Sequence, residues 1–154
     1  MAGEKTILLL GVGNLLLKDE GLGVHAVRRL MEMDLPPHVE VMDGGTGGFD
    51  LLDAIEGRQK VVMIDAIKAG KEPGTLYRFA AEDMENQAKC RLSLHDIDVG
   101  DLLQLMDVLD VRKPEILVIG VEPKDMDSAS LELSPEIEAR LPRLIEVVLK
   151  EIQD

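Results

Sequence analysis

The chain has 154 residues, a formal net charge of −13, 45% apolar residues and only 2% aromatic residues. Most of such a surface would repel a phosphate backbone, so nucleic acid is not an expected partner. No apolar run approaches the about 20 residues of a membrane-spanning helix, and the first residues lack the pattern of a signal peptide. Cys90 is the single cysteine, which excludes an internal disulfide and favours a cytoplasmic location.

Apolar runs alternate with amphipathic segments along the whole chain, which predicts alternating strands and helices. The first run is fully apolar and stops at Gly11, as a buried central strand would. The predicted elements in chain order are a strand at Thr6–Leu10, a helix at Leu22–Met33, a strand at Val39–Met42, a helix at Phe49–Glu56, strands at Val61–Ile64 and Thr75–Phe79, a helix at Leu94–Leu109, a strand at Ile116–Ile119, and a helix from Ser134 to about Glu151.

This order predicts an α/β fold in one domain over residues 1–154, with a mostly parallel five-stranded sheet and helices on both faces. Thr75–Phe79 alternates like an edge strand and is expected to run antiparallel. In a flavodoxin-like order 2-1-3, right-handed crossovers place the first two helices on opposite faces. Ligands of such sheets bind where the carboxyl ends of the strands meet. The loops Gly11–Glu20 and Asp65–Gly70 are expected to wall that crevice.

One interpretation of Gly11-Val12-Gly13-Asn14 after the first strand is a dinucleotide-binding loop. The fingerprint needs a third glycine where this chain has Leu16. Asp43, the candidate for the ribose, lies about 30 positions after Gly13 instead of about 20. Asp19 and Glu20 would also repel a pyrophosphate, so nucleotide binding is a minor alternative.

Three side chains with metal-binding chemistry fall at the predicted crevice: Glu20 before the first helix, Asp65 after the third strand and His95 in the first turn of a helix. Each also has a structural interpretation. Glu20 could offset a helix dipole, Asp65 could cap a turn, and a lone histidine is usually only a surface residue. Together, oxygen and nitrogen donors suit a borderline divalent ion such as nickel or zinc, although their distant spacing forms no local metal motif.

An ordered set of short motifs resembles the hydrogenase maturation endopeptidases across essentially the whole chain. The motifs are Gly11-Val12-Gly13-Asn14 with Leu16, Asp19-Glu20-Gly21-Leu22-Gly23, Asp43-Gly44-Gly45-Thr46-Gly47, Asp65-Ala66, Ser93-Leu94-His95 and Gly120-Val121-Glu122-Pro123. The resemblance implies a three-layer α/β/α sandwich around a five-stranded sheet. It also implies a metal site at Glu20, Asp65 and His95.

The resemblance further implies an endopeptidase that removes the C-terminal extension of a nickel-iron hydrogenase large-subunit precursor. The ion would be nickel carried by that precursor, and the same donors would accept another divalent metal in the isolated protein. Asp43 joins Glu20 and Asp65 as a candidate catalytic residue. Neither nucleic acid nor membrane is an expected partner, and a monomer is the assumed state. The alternative is a nickel-binding accessory or delivery module without proteolytic activity.

Overall fold

The computed structural model describes residues 6–45, 51–81, 83, 91–92, 108 and 114–153. A 3-10 turn at Lys18–Gly21 precedes the first helix. No helix within these described ranges is long and apolar enough to cross a membrane. The strands are β1 (Ile7–Val12), β2 (Val39–Gly45), β3 (Lys60–Lys68), β4 (Leu76–Ala80), β5 (Arg91–Leu92) and β6 (Glu115–Val121), and the helices are α1 (Leu22–Met31), α2 (Leu51–Ile55), α3 (Pro135–Glu138) and α4 (Leu141–Lys150).

The central sheet has the continuous order β2-β1-β3-β6-β4, while β5 pairs only with β3. β1 runs parallel to β2 and β3, and β3 runs parallel to β6. β4 closes one edge antiparallel to β6. The predicted α/β fold, with its mostly parallel five-stranded sheet and its antiparallel edge strand, is confirmed.

The core lies in two layers because successive side chains of a strand point to opposite faces of the sheet. On β1, Leu9 faces α1 and α4, whereas Leu8 and Leu10 face the side that carries Ile55 of α2. All four of these side chains are fully buried. α1 and α2 thus lie on opposite faces, as right-handed crossovers require.

The prediction of one continuous C-terminal helix is wrong, because the structure has two helices in this part of the chain. α3 ends at Glu138 and α4 begins at Leu141. Pro142 has no N–H to donate, and in a continuous helix its ring would clash with the carbonyl of Glu138. The second position of a new helix tolerates proline, so the chain starts again there.

The prediction that the third strand ends at Ile64 is also wrong. β3 continues to Lys68, because Ala66 pairs with Val121 of β6 and Ile67 pairs with β5. The predicted helix at Leu94–Leu109 lies outside the described residues, except for position 108, which is helical.

Candidate functional site

The connection between β1 and α1 is held by contact between backbones. A Cβ atom on Gly11 would lie 2.2 Å from the carbonyl oxygen of Gly23, so α1 begins directly against β1. The 3-10 turn before α1 in turn contacts β3. These contacts bring the segment that carries Glu20 to the carboxyl end of β3.

Glu20 and Asp65 are both buried at this end of the sheet. Glu20 is 2% exposed and Asp65 is fully buried. The pairing of β1 with β3 ends at Ile64, so Asp65 is the first residue of β3 that no longer pairs with β1. One oxygen of Asp65 accepts a hydrogen bond from the N–H of Ala66 at 2.8 Å. Two of the three predicted metal ligands thus belong to segments that touch, at the crevice that the sequence predicts.

The carboxylate of Asp19 connects the 3-10 turn to the segment after β6. Its Oδ2 accepts hydrogen bonds from the N–H groups of Lys124 (3.0 Å) and Asp125 (2.9 Å) and from the hydroxyl of Ser134 (2.8 Å). Its Oδ1 accepts the N–H of Ser134 at 2.7 Å. The N-cap of α1 is Gly21, with no side-chain cap. The carboxylate of Asp19 therefore makes no cap bond to α1 and binds residues that are distant in sequence.

Asp43 lies near the carboxyl end of β2 but on the other face of the sheet from Asp65. Asp65 lies on the same face of β3 as the side chains that pack towards α2. Asp43 lies on the same face of β2 as Val41, which packs towards α1. Its Oδ1 accepts the N–H of Gly45 at 3.0 Å, and Oδ2 lies 3.8 Å from the guanidinium of Arg28. The side chain is 35% exposed, so it is open to solvent in a way that Glu20 and Asp65 are not.

Glu122 is a buried acid to which the sequence analysis assigned no role. Its Oε1 accepts hydrogen bonds from the N–H groups of Ala69 and Lys71 and from the hydroxyl of Tyr77, at 2.9, 3.2 and 2.6 Å. The backbone of Glu122 also pairs with Gly74 and Thr75. One side chain thus fixes the connection between β3 and β4 beside the crevice. Its place in the Gly120–Pro123 motif was the only available signal.

A pocket of about 490 Å³ lies between the end of β3 and the segment after β6. One wall is Lys68 at the end of β3, and the other is the segment Pro123–Ser128, called here the pocket loop. Asp125 of this loop accepts hydrogen bonds from Ser128 and from the N–H of Asp127, which lower the pKa of its carboxyl to about 2. The loop therefore carries a fixed negative charge at neutral pH.

His95, the third predicted ligand, lies outside the described residues. Within the described ranges, no three histidine, cysteine or acidic side chains are grouped closely enough to hold a metal. His25 of α1 hydrogen-bonds to the backbone of Leu131, and burial lowers the pKa of its imidazole below the usual value. The structure thus brings together the segments of Glu20 and Asp65 and leaves the complete trio a prediction.

Comparison with known proteins gives the site its context. The model of the hydrogenase maturation protease family (HycI) matches residues 24–151 of this chain. The chain belongs to the hydrogenase maturation protease family. It is 33% identical over 150 residues to the hydrogenase 2 maturation protease of Escherichia coli K12, covering 96% of this chain and 91% of that protein.

Solved structures of this family share the fold. The hydrogenase maturating endopeptidase HybD from E. coli superposes with a TM-score of 0.84 at 32% identity, covering 95% of this chain and 91% of that one. The [NiFe] hydrogenase maturation protease HybD from Thermococcus kodakarensis gives a TM-score of 0.80 at 32% identity, covering 96% and 99%. The resemblance read from the sequence motifs is confirmed.

In this member of the family the glycine-rich loop after β1 serves the fold. The N–H of Gly13 donates to the carbonyl of Gly45 at 2.8 Å, and the N–H of Leu16 donates to the side chain of Asn14 at 3.0 Å. A dinucleotide loop would instead offer its N–H groups to a pyrophosphate. The internal hydrogen bonds argue against that alternative.

Proposed function

We propose that this chain is an endopeptidase that removes the C-terminal extension of a nickel-iron hydrogenase large-subunit precursor after nickel insertion. Glu20, Asp65 and His95 would recognise the nickel that the precursor carries. The observation that carries the proposal is the burial of Glu20 and Asp65, 2% and 0% exposed, on segments in contact at one end of the sheet. Membership of the maturation protease family supports the reaction class.

The donor chemistry supports nickel as the recognised ion. Two carboxylates and an imidazole form a mixed oxygen and nitrogen set, which suits a borderline divalent ion with open positions. Buried carboxylates also bind a cation more strongly than exposed ones, because fewer water molecules compete. Each ligand needs to contribute only about 1.4 kcal/mol for a tenfold preference for the nickel-loaded precursor. Such a protease would cut only after metal insertion is complete.

The chemical step would take place on the peptide bond beside this ion. Nickel bound between precursor and protease would polarise the scissile carbonyl and lower the pKa of an attacking water. Glu20 and Asp65 would hold the ion at the crevice. Asp43, which is partly open to solvent, would accept a proton from the water and return it to the leaving amine. Its place on the opposite face of the sheet requires that the substrate reach across the end of β1.

The proposal is tested by incubating the protein with nickel-loaded precursor and following the mass of the large subunit. Glu20→Gln, Asp65→Asn and His95→Gln should each abolish the mass shift, while circular dichroism shows the native fold. The matched control is Glu146→Gln, which alters an exposed acid that pairs with Arg143 and should cleave at the wild-type rate. Full cleavage by all three site variants would reject the proposed ligands.

A nickel-binding accessory role predicts a different result in the same samples. Such a module would bind nickel tightly without precursor, as measured by calorimetry, and would leave the mass of the precursor unchanged. The endopeptidase predicts cleavage, with tight nickel binding only when the precursor supplies the remaining ligands. The two functions are therefore separated by one mass measurement and one titration.

A further inference from the structure

The 3-10 turn Lys18–Gly21, which carries the proposed ligand Glu20, is joined by backbone and side-chain hydrogen bonds to the pocket loop and to the residues that follow it. The N–H of Asp19 donates to the carbonyl of Asp125, and the N–H of Lys18 donates to the carbonyl of Ser130, both at 3.0 Å. The N–H of Ser130 returns a bond to Leu16 at 2.9 Å. Leu17 and Ser130 form a parallel bridge. These contacts fix two segments that are more than a hundred residues apart in the chain.

The carboxylate of Asp19 is the centre of this junction. It is fully buried and accepts the four hydrogen bonds from Lys124, Asp125 and Ser134 described above. Three of the four donors are backbone N–H groups, so the side chain fixes the path of the chain and not only a side-chain position. Hydrogen bonds to an ionised acceptor are about twice as strong as neutral ones.

Each segment that lines the pocket is connected to one of the two proposed nickel ligands. Lys68 is three residues beyond Asp65 on β3, about 10 Å along the strand. The other lining segment contains Lys124 and Asp125, whose N–H groups donate to the carboxylate of Asp19, the residue next to Glu20. A substrate segment in this pocket would therefore contact the two segments that are connected to the proposed ligands. The volume of about 490 Å³ is within the about 300–1,000 Å³ range of ligand pockets.

We propose that Asp19 is a positioning residue, which holds the pocket loop in register with Glu20 so that a polypeptide segment of the precursor and its nickel are bound together. The inference rests on the proposed function. The residues that line the pocket include two basic ones, Lys68 and Lys124, and two acidic ones, Asp125 and Asp127. A peptide, which carries both donors and acceptors along its backbone, fits such a mixed wall better than a ligand of one charge.

Asp19→Asn tests this role with little change in volume. One acceptor oxygen becomes an NH2 group, which must then face either the N–H of Ser134 or the three donors at Oδ2. Ser134→Ala is the milder second variant, because it removes only the hydroxyl bond. The stability control is Glu151→Gln, since Glu151 pairs with Lys60 at the opposite end of β3. Chemical denaturation first establishes that each variant is folded at the assay temperature.

Two readouts then decide the inference. Amide hydrogen exchange should accelerate at Lys124, Asp125 and Ser134 in Asp19→Asn, and strands β1 and β3 should keep their protection. Calorimetric affinity for the loaded precursor should fall by about tenfold or more, and the ratio of affinities for loaded and nickel-free precursor should shrink. Ser134→Ala should lie between the wild type and Asp19→Asn, and Glu151→Gln should keep both affinities.

Unchanged exchange at these three amides, or accelerated exchange with wild-type affinities, would overturn the positioning role. An equal loss of affinity in Glu151→Gln would also overturn it, because the effect would then be one of general stability. Failure of the wild-type protein to cleave the loaded precursor is a failure of the proposed function instead. The affinities for the precursor still decide the role of Asp19 in that case.

Discussion

Gly23 of α1 lies directly against the backbone of Ile64 in β3. A Cβ atom on Gly23 would be 2.0 Å from the carbonyl oxygen of Ile64 and 2.5 Å from that of Val12. Ile64 immediately precedes Asp65, and Gly23 follows Glu20 by three positions. The absence of one side chain therefore sets how closely the segments of the two proposed nickel ligands approach.

Gly23→Ala should lower the free energy of unfolding by about 2–3 kcal/mol, because the added methyl must displace α1 from β3. Urea denaturation measures this change. Gly57→Asn serves as a control, since Gly57 has a φ of +80° and nothing within 4 Å of a Cβ atom, and asparagine tolerates that conformation. A Gly23→Ala protein of wild-type stability would show that α1 can move freely relative to β3.

Glu122→Ala should destabilise the protein by about 3 kcal/mol. The substitution leaves the N–H groups of Ala69 and Lys71 and the hydroxyl of Tyr77 without the oxygen that accepts them. A fully buried unsatisfied donor costs about 1–3 kcal/mol, and these three donors are part-buried. Relaxation of the surrounding chain and entry of water reduce the total destabilisation. The measurement is the midpoint of denaturant unfolding, together with limited proteolysis of the connection between β3 and β4.

Glu122→Gln is the informative comparison for this site. Its amide oxygen can still accept the same three hydrogen bonds, so the free energy of unfolding should fall by less than about 1.5 kcal/mol. Tyr77→Phe, which removes one donor, should cost about 1 kcal/mol. If Glu122→Gln were as damaging as Glu122→Ala, the negative charge and not the hydrogen bonding would be the stabilising property.

The sheet could be predicted from the sequence because its signal is local. The run from Leu8 to Leu10 is apolar at every position and stops at a glycine, as a strand covered on both faces must. The predicted strand ends were less accurate where pairing with a neighbouring strand decides them. β3 extends past Asp65 only because β5 and β6 offer partners there, and neither partner is visible in the residues around Asp65.

The buried acids show where prediction from sequence stops. The residues around Asp19 do not indicate its partner Ser134, which is 115 positions away. Ser134 was predicted at the start of the C-terminal helix and is the N-cap of α3, but its hydroxyl binds Asp19 and makes no cap bond. The local sequence pattern identifies which residue types can form hydrogen bonds. Only the fold decides which distant donors they meet.

Glu151 should make stability depend on pH in the acid range. The hydrogen bond from Arg78, followed by the one from Lys60, lowers the pKa of this carboxyl below its usual range. A lowered folded-state pKa contributes stability above the unfolded value of about 4.3, and this is lost as pH falls through the folded-state pKa. The free energy of unfolding of the wild type minus that of Glu151→Gln should be constant at neutral pH and shrink below pH of about 4. A difference independent of pH would contradict the pairing.

Asp43→Asn should separate catalysis from binding. The amide keeps an oxygen for the N–H of Gly45, which Asp43 Oδ1 now accepts at 3.0 Å, so the end of β2 should keep its shape. An amide cannot take a proton from water, and loss of a general base typically costs about 10²–10⁴ in rate. We therefore expect a single-turnover rate on nickel-loaded precursor at least a hundredfold lower, within that range, with calorimetric affinity unchanged.

Arg28→Gln is the matched control for Asp43. It removes the cation 3.8 Å from the carboxylate and leaves the carboxylate in place. Because both side chains are substantially exposed, with 57% of Arg28 and 35% of Asp43 accessible, the pair is screened by solvent and should contribute little. Its cleavage rate should stay within about threefold of the wild type. A fast Asp43→Asn enzyme would assign proton transfer to Glu20 or Asp65, the buried acids at the ion, whereas slow cleavage by Arg28→Gln alone would assign the guanidinium a direct role in holding the substrate.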